Sequence, residues 1–364
     1  MLPTPVSHSD FASHIPTFNP LYALPPSMSL RIAFFGSDAF SVASLARLLR
    51  LHHENPSLIS SIDVVTRRIK PTGRKLTTFV DLPAGDFATR HGLPLWRADS
   101  AEEILDIAPR GPNHMAVAVS YGKLIPAEYL SQMGHGGLNV HPSLLPMYSG
   151  SAPLQHALMD DVSETGVSVQ TLHPTKFDKG AILAQTSPIP ILEDDNYHSL
   201  QARLSEVGAD LLAHVLEKKL YVPPLSPIKS PYAYSLAKKI LPETSQIDWR
   251  ASSRTIKRLS DALGPLHTFK MVDIIKKKKR VHQHYKVILD DIREHETTSI
   301  LEKALPGEFA FLGNRILVKT GDGIVSVGSL KFQYCAEENP ETFMARLGKR
   351  AGETPRVFES LPRP

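Results

Sequence analysis

The residues best placed to do chemistry lie in Leu138-Asn139-Val140-His141-Pro142-Ser143-Leu144-Leu145-Pro146, with Asp178 following 37 positions after His141 in Phe177-Asp178-Lys179-Gly180. Asn139 and His141 are two apart, so on a strand ending at Pro142 both side chains leave one face. An amide N–H stabilises an oxyanion, an imidazolium protonates it or a leaving amine, and a carboxylate orients and charges the ring. A substrate that brings its own amine needs no covalent nucleophile from the protein. Singly, each residue has a plainer reading: an Asn near a turn satisfies backbone groups, a His before Pro packs or is solvated, and an Asp before Lys-Gly sits in a turn. Their combination points to chemistry.

The elements that must position these groups follow from hydrophobic patterning. Residues 30–35 read as a buried strand, and Asp38 caps a helix running to about Leu51. Residues 62–65 form a second strand. A helix at about 83–91, a short strand at 93–96, a helix at about 101–107 and a central strand at 115–120 come next. Residues 167–172 and 182–185 read as strands flanking Asp178, and 198–220 as a long amphipathic helix. This alternation predicts an α/β fold with a Rossmann-like, mostly parallel sheet and flanking helices, binding ligands at the carboxyl ends of its strands. Gly36 stands without the other two spaced glycines of a dinucleotide site, so NAD binding is rejected.

The chain has 364 residues, 42% hydrophobic and 21% charged, enough to bury more than one core, so two domains are expected. No run of 18 apolar residues occurs, which argues against a membrane-spanning helix. Cys335 is the single cysteine; it excludes an intrachain disulfide and a Cys-rich zinc site, and points to a reducing compartment. No metal cluster or phosphate loop is expected.

The net charge of +4 is modest but unevenly placed. Residues 67–75 carry five cations (Arg67, Arg68, Lys70, Arg74, Lys75) and no acid, with Pro71 and Gly73 marking a loop. Lys276, Lys277, Lys278, Lys279 and Arg280 form a second run. Either reads in isolation as a solvated surface. From Thr255 to Lys286, however, nine cations stand against Asp261 and Asp273, a net of +7 that suits RNA phosphates. Prolines 223, 224, 227 and 231 mark an extended linker. Beyond a helix at 255–263, β-like runs at 286–289, 308–311, 316–319 and 324–327 are separated by glycine turns, which predicts a small barrel.

Asn-x-His-Pro-Ser-Leu-Leu-Pro with its downstream Asp resembles the formyltransferase family that uses 10-formyltetrahydrofolate. Phe35-Gly36-Ser37-Asp38-Ala39-Phe40, Ser120-Tyr121-Gly122-Lys123-Leu124-Ile125-Pro126, Gly150-Ser151-Ala152-Pro153-Leu154-Gln155, Glu164-Thr165-Gly166-Val167-Ser168 and Ile247-Asp248-Trp249 extend the resemblance over roughly residues 30 to 345. It implies Asn139, His141 and Asp178 as catalytic residues. It places the folate co-substrate on Tyr121, Gly122, Leu124, Ile125, Ser143, Leu144, Leu145 and Pro146, with backbone groups doing much of the recognition.

The second module resembles the OB-like barrel of the family's tRNA-acting members; smaller relatives acting on a ribonucleotide generally lack it. The implied acceptor is initiator methionyl-tRNA, met by the two basic runs, in a monomer. The implied division is a catalytic domain at 29–220, a linker at 221–234, a tRNA-binding domain at 235–350 and a tail at 351–364. Residues 1–28 are expected to be a disordered or cleavable segment. They hold no Lys or Arg and only Asp10 as an acid, so a mitochondrial address is implied by the family more than by composition. Met28 is a possible alternative start. Lys70 and Ser149 each stand where the family commonly has Arg, and Ala181 where it has a carboxylate. A formyltransferase or formyl-folate hydrolase acting on a small amine or water, and a catalytically silent RNA-binding relative, are the other expectations.

Overall fold

The computed structural model describes residues 29–72, 77–276, 278–296 and 299–362. β1 (Leu30–Gly36) is buried at six of its seven positions, the pattern of a strand covered on both faces of a parallel sheet. A Cβ on Gly36 would lie 2.6 Å from the Phe34 ring and 2.8 Å from Ser41 Cβ, so only glycine lets the chain turn there. Asp38 then caps α1 (Ala39–Glu54), accepting the Ser41 N–H at 3.1 Å. β2 (Ile59–Thr66), α2 (Pro83–Arg90), β3 (Leu95–Arg97), α3 (Ala101–Ile107), β4 (His114–Val119) and β5 (Gly137–His141) follow. After α4 (Pro153–Met159), β6 (Ser168–Thr171) and β7 (Ile182–Gln185) return antiparallel, and α5 (Tyr197–Glu217) closes the domain from a capping box at Asn196 and Ser199.

The seven strands lie in the order β7-β6-β5-β4-β1-β2-β3. Pairs from β5 through β3 are parallel, and β6 pairs antiparallel with both β5 and β7. One face packs α1 and α5 over Ile32, Phe34, Val117 and Val140; the other carries Phe35, Tyr121 and Tyr129. The strand order reverses between β1 and β4, which opens a crevice at their carboxyl ends. The expected α/β architecture is therefore present, with strand ends shifted by a few residues.

In the second domain, α6 (Ser253–Leu263) precedes β8 (Leu266–Lys276), β9 (Lys279–His295), β10 (Phe309–Leu312), β11 (Arg315–Lys319), β12 (Ile324–Phe332) and α7 (Pro340–Ala351). The strands form an antiparallel sheet in the order β8-β9-β12-β11-β10. Two differences from expectation stand out. The run expected at 286–289 is part of a 17-residue strand, and its partner β8 was not anticipated, because its mixed polar and apolar residues follow no strict alternation. The segment expected as a tail is structural: Glu359 bridges Phe269 on β8 and Val357 bridges Glu308 beside β10, so the carboxyl-terminal chain stitches both sheet edges. Phe358 anchors it, fully buried and stacked 4.2 Å from Phe309.

The domains meet where α6 packs on α4. Arg254 pairs with Asp161 at 2.8 Å and with Glu193, and the buried Arg258 reaches Asp161 at 2.7 Å. Arg254, then Arg258, hold the Asp161 carboxyl down at about 2, against the opposing effect of burial. A carboxyl whose folded value is depressed adds stability above its unfolded value near 3.8, and that contribution is lost as pH falls from about 4 toward 2. The thermal midpoint of wild type should therefore exceed that of Asp161→Asn at pH 6, and the gap should close as the pH approaches 2.

Candidate active site

Asn139 and His141 are alternate residues at the carboxyl end of β5 and do share a face. Both point at one atom: the Asn139 amide N–H faces Asp178 Oδ1 at 3.3 Å, and His141 Nδ1 lies 3.4 Å from the same oxygen. His141 and Asp178 have side chains only 7% exposed, whereas Asn139 is half-buried. The other ring nitrogen, Nε2, faces the Tyr148 carbonyl at 2.9 Å. Each ring nitrogen thus meets an oxygen acceptor, so a doubly protonated ring is satisfied at both N–H groups. The contacts to Oδ1 are longer than ordinary hydrogen bonds, so either donor can turn to an entering oxygen.

Asp178 arrives from the loop between β6 and β7 with φ of 51°, a left-handed conformation that suits a short polar side chain. The turn lies so close to β6 that a Cβ on Gly180 would fall 1.7 Å from the Thr171 carbonyl oxygen. Thr171 closes the loop by accepting the Ala181 N–H on its hydroxyl at 2.9 Å. On the far side, Gly150 donates its N–H to Asp178 Oδ2 at 2.8 Å. Ser149–Gly150 is itself held by parallel pairing with Leu236–Ala237, where the interdomain linker ends. The expected extended linker therefore runs over the site: Ile228 bonds back to β7, and the Lys179 ammonium sits 3.9 Å from the Tyr234 ring centre.

The residues expected at the folate separate into two groups. Tyr121, Ile125, Leu144 and Leu145 are buried, and Tyr121 donates its hydroxyl to the Ala98 carbonyl at 2.6 Å. Burial pushes that phenol up, which keeps it a neutral donor. Between these anchors, Gly122 and Leu124 are exposed, and Gly122 has φ of 75°. Ser143 is buried and donates to the Met147 carbonyl at 2.6 Å, and Pro146 follows it in the same loop. The Gly122–Leu124 stretch thus offers exposed backbone at a strand end, whereas the Ser143–Pro146 turn bonds most of its own backbone groups within the protein. Burial raises the carboxyl of Asp38 above the usual carboxylate range, with the Ser41 and Ser120 hydrogen bonds opposing it, at the crevice between β1 and β4.

Three supporting residues carry no functional expectation from the sequence. Ser168 donates to the Ser143 carbonyl at 2.6 Å and accepts the Leu145 N–H at 3.0 Å. Gln185 donates to the Leu145 carbonyl at 2.7 Å. Gln170 donates to Asp178 Oδ1 at 3.0 Å. Their one signal was polar residues at alternate positions of β6, Ser168 and Gln170, and at the end of the otherwise apolar β7, Gln185.

The first basic run begins beside the folate-side loop, where a Cβ on Gly122 would lie 3.6 Å from the Arg67 guanidinium. Arg67 pairs with Asp99 at 3.3 Å and Arg68 with Glu103 at 2.7 Å, while Lys70 is exposed before the short pairing of Pro71–Thr72 with Thr78–Phe79. Arg74 and Lys75 lie outside the described residues, as does Lys277. The second run is the tip of the β8–β9 hairpin, where Lys276 pairs with Lys279 across the turn at Lys278. Arg280 is bound to Asp273 at 2.5 Å and holds that carboxyl down at about 2. Among the described residues, no group of three or more His, Cys, Asp or Glu converges as a metal site, and no helix is long and apolar enough to cross a membrane.

The formyl transferase model matches residues 30–216, and that of the formyl transferase C-terminal domain matches residues 239–348. The chain belongs to the formyl transferase family. Within the family it is 34% identical over 372 residues to the mitochondrial methionyl-tRNA formyltransferase of Saccharomyces cerevisiae, covering 91% of this chain and 92% of that one. It is 36% identical over 238 residues to the methionyl-tRNA formyltransferase of Thermus thermophilus, covering 65% of this chain and 74% of the relative. Two solved structures share the fold. One is HypX from Aquifex aeolicus in complex with tetrahydrofolic acid, at 17% identity and a TM-score of 0.53, covering 88% of this chain and 48% of HypX. The other is WlaRD, a sugar 3N-formyl transferase, at 16% identity and a TM-score of 0.51, covering 85% of this chain and 99% of that one. The chain thus spans about half of HypX and is a formyl-transfer enzyme by family membership.

Proposed function

We propose that this enzyme moves the formyl group of 10-formyltetrahydrofolate to the α-amine of methionyl initiator tRNA. The observation that carries the chemistry is the convergence of Asn139 and His141 on Asp178 at the carboxyl edge of the sheet. The free amine attacks the formyl carbon, the bond from that carbon to N10 breaks, and one proton passes from the amine to N10. The Asn139 N–H meets the oxygen as it gains negative charge, the His141 imidazolium adds its own charge, and Asp178, which orients the ring before the donors turn to the substrate, takes part in the proton transfer. The exposed loop from Gly122 to Leu124 supplies backbone groups for the folate, and the Ser143 to Pro146 turn, held by Ser168 and Gln185, supplies a fixed surface. Incubation with charged initiator tRNA and 10-formyltetrahydrofolate should yield formyl-methionine after mild ester hydrolysis; a folded enzyme giving none defeats this reading.

The acceptor rests on the relatives' names and on the basic hairpin tip. Lys278 and Lys279 are exposed, and Arg280 has its charge matched by Asp273. In Lys278→Ala/Lys279→Ala, filter binding across salt concentrations should show the slope of log K against log salt reduced by about 0.9 for each duplex phosphate the protein no longer neutralises. Arg280→Ala should change it less. The mitochondrion is the proposed address, supported by the yeast relative, and subcellular fractionation tests it.

A further inference from the structure

Four donors surround the Asp178 carboxylate, and their distances divide them into two pairs. Gly150 N–H to Oδ2 and Gln170 Nε2 to Oδ1 are ordinary hydrogen bonds, at 2.8 and 3.0 Å. Asn139 and His141, at 3.3 and 3.4 Å, are loose. The loose pair are the two groups that must leave the carboxylate to serve the substrate. When they do, Oδ1 keeps one partner, Gln170.

Gln170 is built for that task. It is 2% exposed on β6, flanked by the fully buried Val169. It stands directly opposite Asn139 in the antiparallel pairing of β5 with β6, so both amides emerge on one face. The register with β7 shifts between Val169 and Gln170, an irregularity of the kind that re-aims a side chain. Its orientation is fixed at both ends: Oε1 accepts the Gly180 N–H at 3.2 Å, which leaves the NH₂ for Asp178. One amide therefore spans the Asp-Lys-Gly turn, tying down a carboxylate whose own backbone is in a left-handed conformation.

We propose that Gln170 is a positioning residue for formyl transfer, holding Asp178 in place while the Asn139 and His141 donors turn to the reacting group. This rests on the catalytic reading of Asn139, His141 and Asp178. Two variants of the full chain separate positioning from loop anchoring. Gln170→Glu keeps the size and the oxygen that Gly180 needs and, at a pH where both carboxyls are ionised, turns the donor facing Asp178 into an acceptor. Gln170→Met keeps the volume and removes both bonds.

The expected result is a kcat lowered about 10- to 100-fold in Gln170→Glu and about tenfold in Gln170→Met, the range of one hydrogen bond to a charged group. KM for tRNA and for the folate should stay within about twofold in both. Combined with Asn139→Ala, the Gln170→Met loss should be less than multiplicative, because both act on one carboxylate. Wild-type kcat in Gln170→Glu with a loss confined to Gln170→Met would reduce Gln170 to a loop anchor and overturn the proposal. A change in KM alone would overturn it too. A folded wild-type enzyme without formyl transfer would instead bring down the catalytic reading beneath it.

Discussion

Asn139→Ala should lower kcat for formyl transfer by about 10²–10³, a loss of about 2.7–4 kcal/mol in transition-state stabilisation, while leaving the fold intact. The amide makes one long contact, 3.3 Å to Asp178, so its removal takes little from the ground state. Gln170 and Gly150 still hold the carboxylate, and the strand pairing of β5 does not depend on the side chain. The loss should therefore fall on kcat, with KM for both substrates nearly unchanged, because the N–H is needed only once negative charge gathers on the formyl oxygen. Single-turnover formylation of charged initiator tRNA measures it. Activity equal to wild type would remove the amide from the mechanism.

Gly180→Ala is the second large effect, and its cause is steric. The added methyl would lie 1.7 Å from the Thr171 carbonyl oxygen and 2.6 Å from its carbon, both backbone atoms of a paired strand. The turn must move away from β6, carrying Asp178 with it two residues upstream and breaking the Gly180 to Gln170 bond. A displacement of about 1 Å at a reacting group costs about 10²-fold in rate, so kcat should fall by that order. Overpacking should also destabilise the domain by about 1–3 kcal/mol. The two readouts differ in place: thermal unfolding reports the strain, and kcat at a temperature where the variant is fully folded reports the displaced carboxylate. A variant as active as wild type would show that the turn can be lifted without moving Asp178.

The candidate catalytic set was legible because its signal is local. Asn139 and His141 are separated by the strand period of two, and Pro142 ends the strand just where a parallel sheet binds ligands. Asp178 was legible through its Asp-x-Gly turn between two apolar runs. The support was not. Ser168, Gln170 and Gln185 look like ordinary strand residues until β6 is known to lie between β5 and β7, where their side chains meet Ser143, Asp178 and Leu145. The residues proposed for the folate show a related limit: motif and resemblance point to two loops at the strand ends, but the side chains of Tyr121, Ile125, Leu144 and Leu145 went to packing.

The sequence by itself determined which segments become strands and helices in the first domain, because burial of period-2 and period-3.6 faces is written in neighbouring residues. It also singled out the three groups proposed for the reaction, whose types and spacing are one-dimensional facts. Tertiary structure alone decided that three donors share one carboxylate oxygen, that the linker pairs beside Gly150, and that the carboxyl-terminal segment closes the second sheet. Most of those contacts join residues tens of positions apart. Such contacts depend on strand order and register, which the folded chain settles collectively by burying its cores and satisfying its backbone, and which no local window encodes.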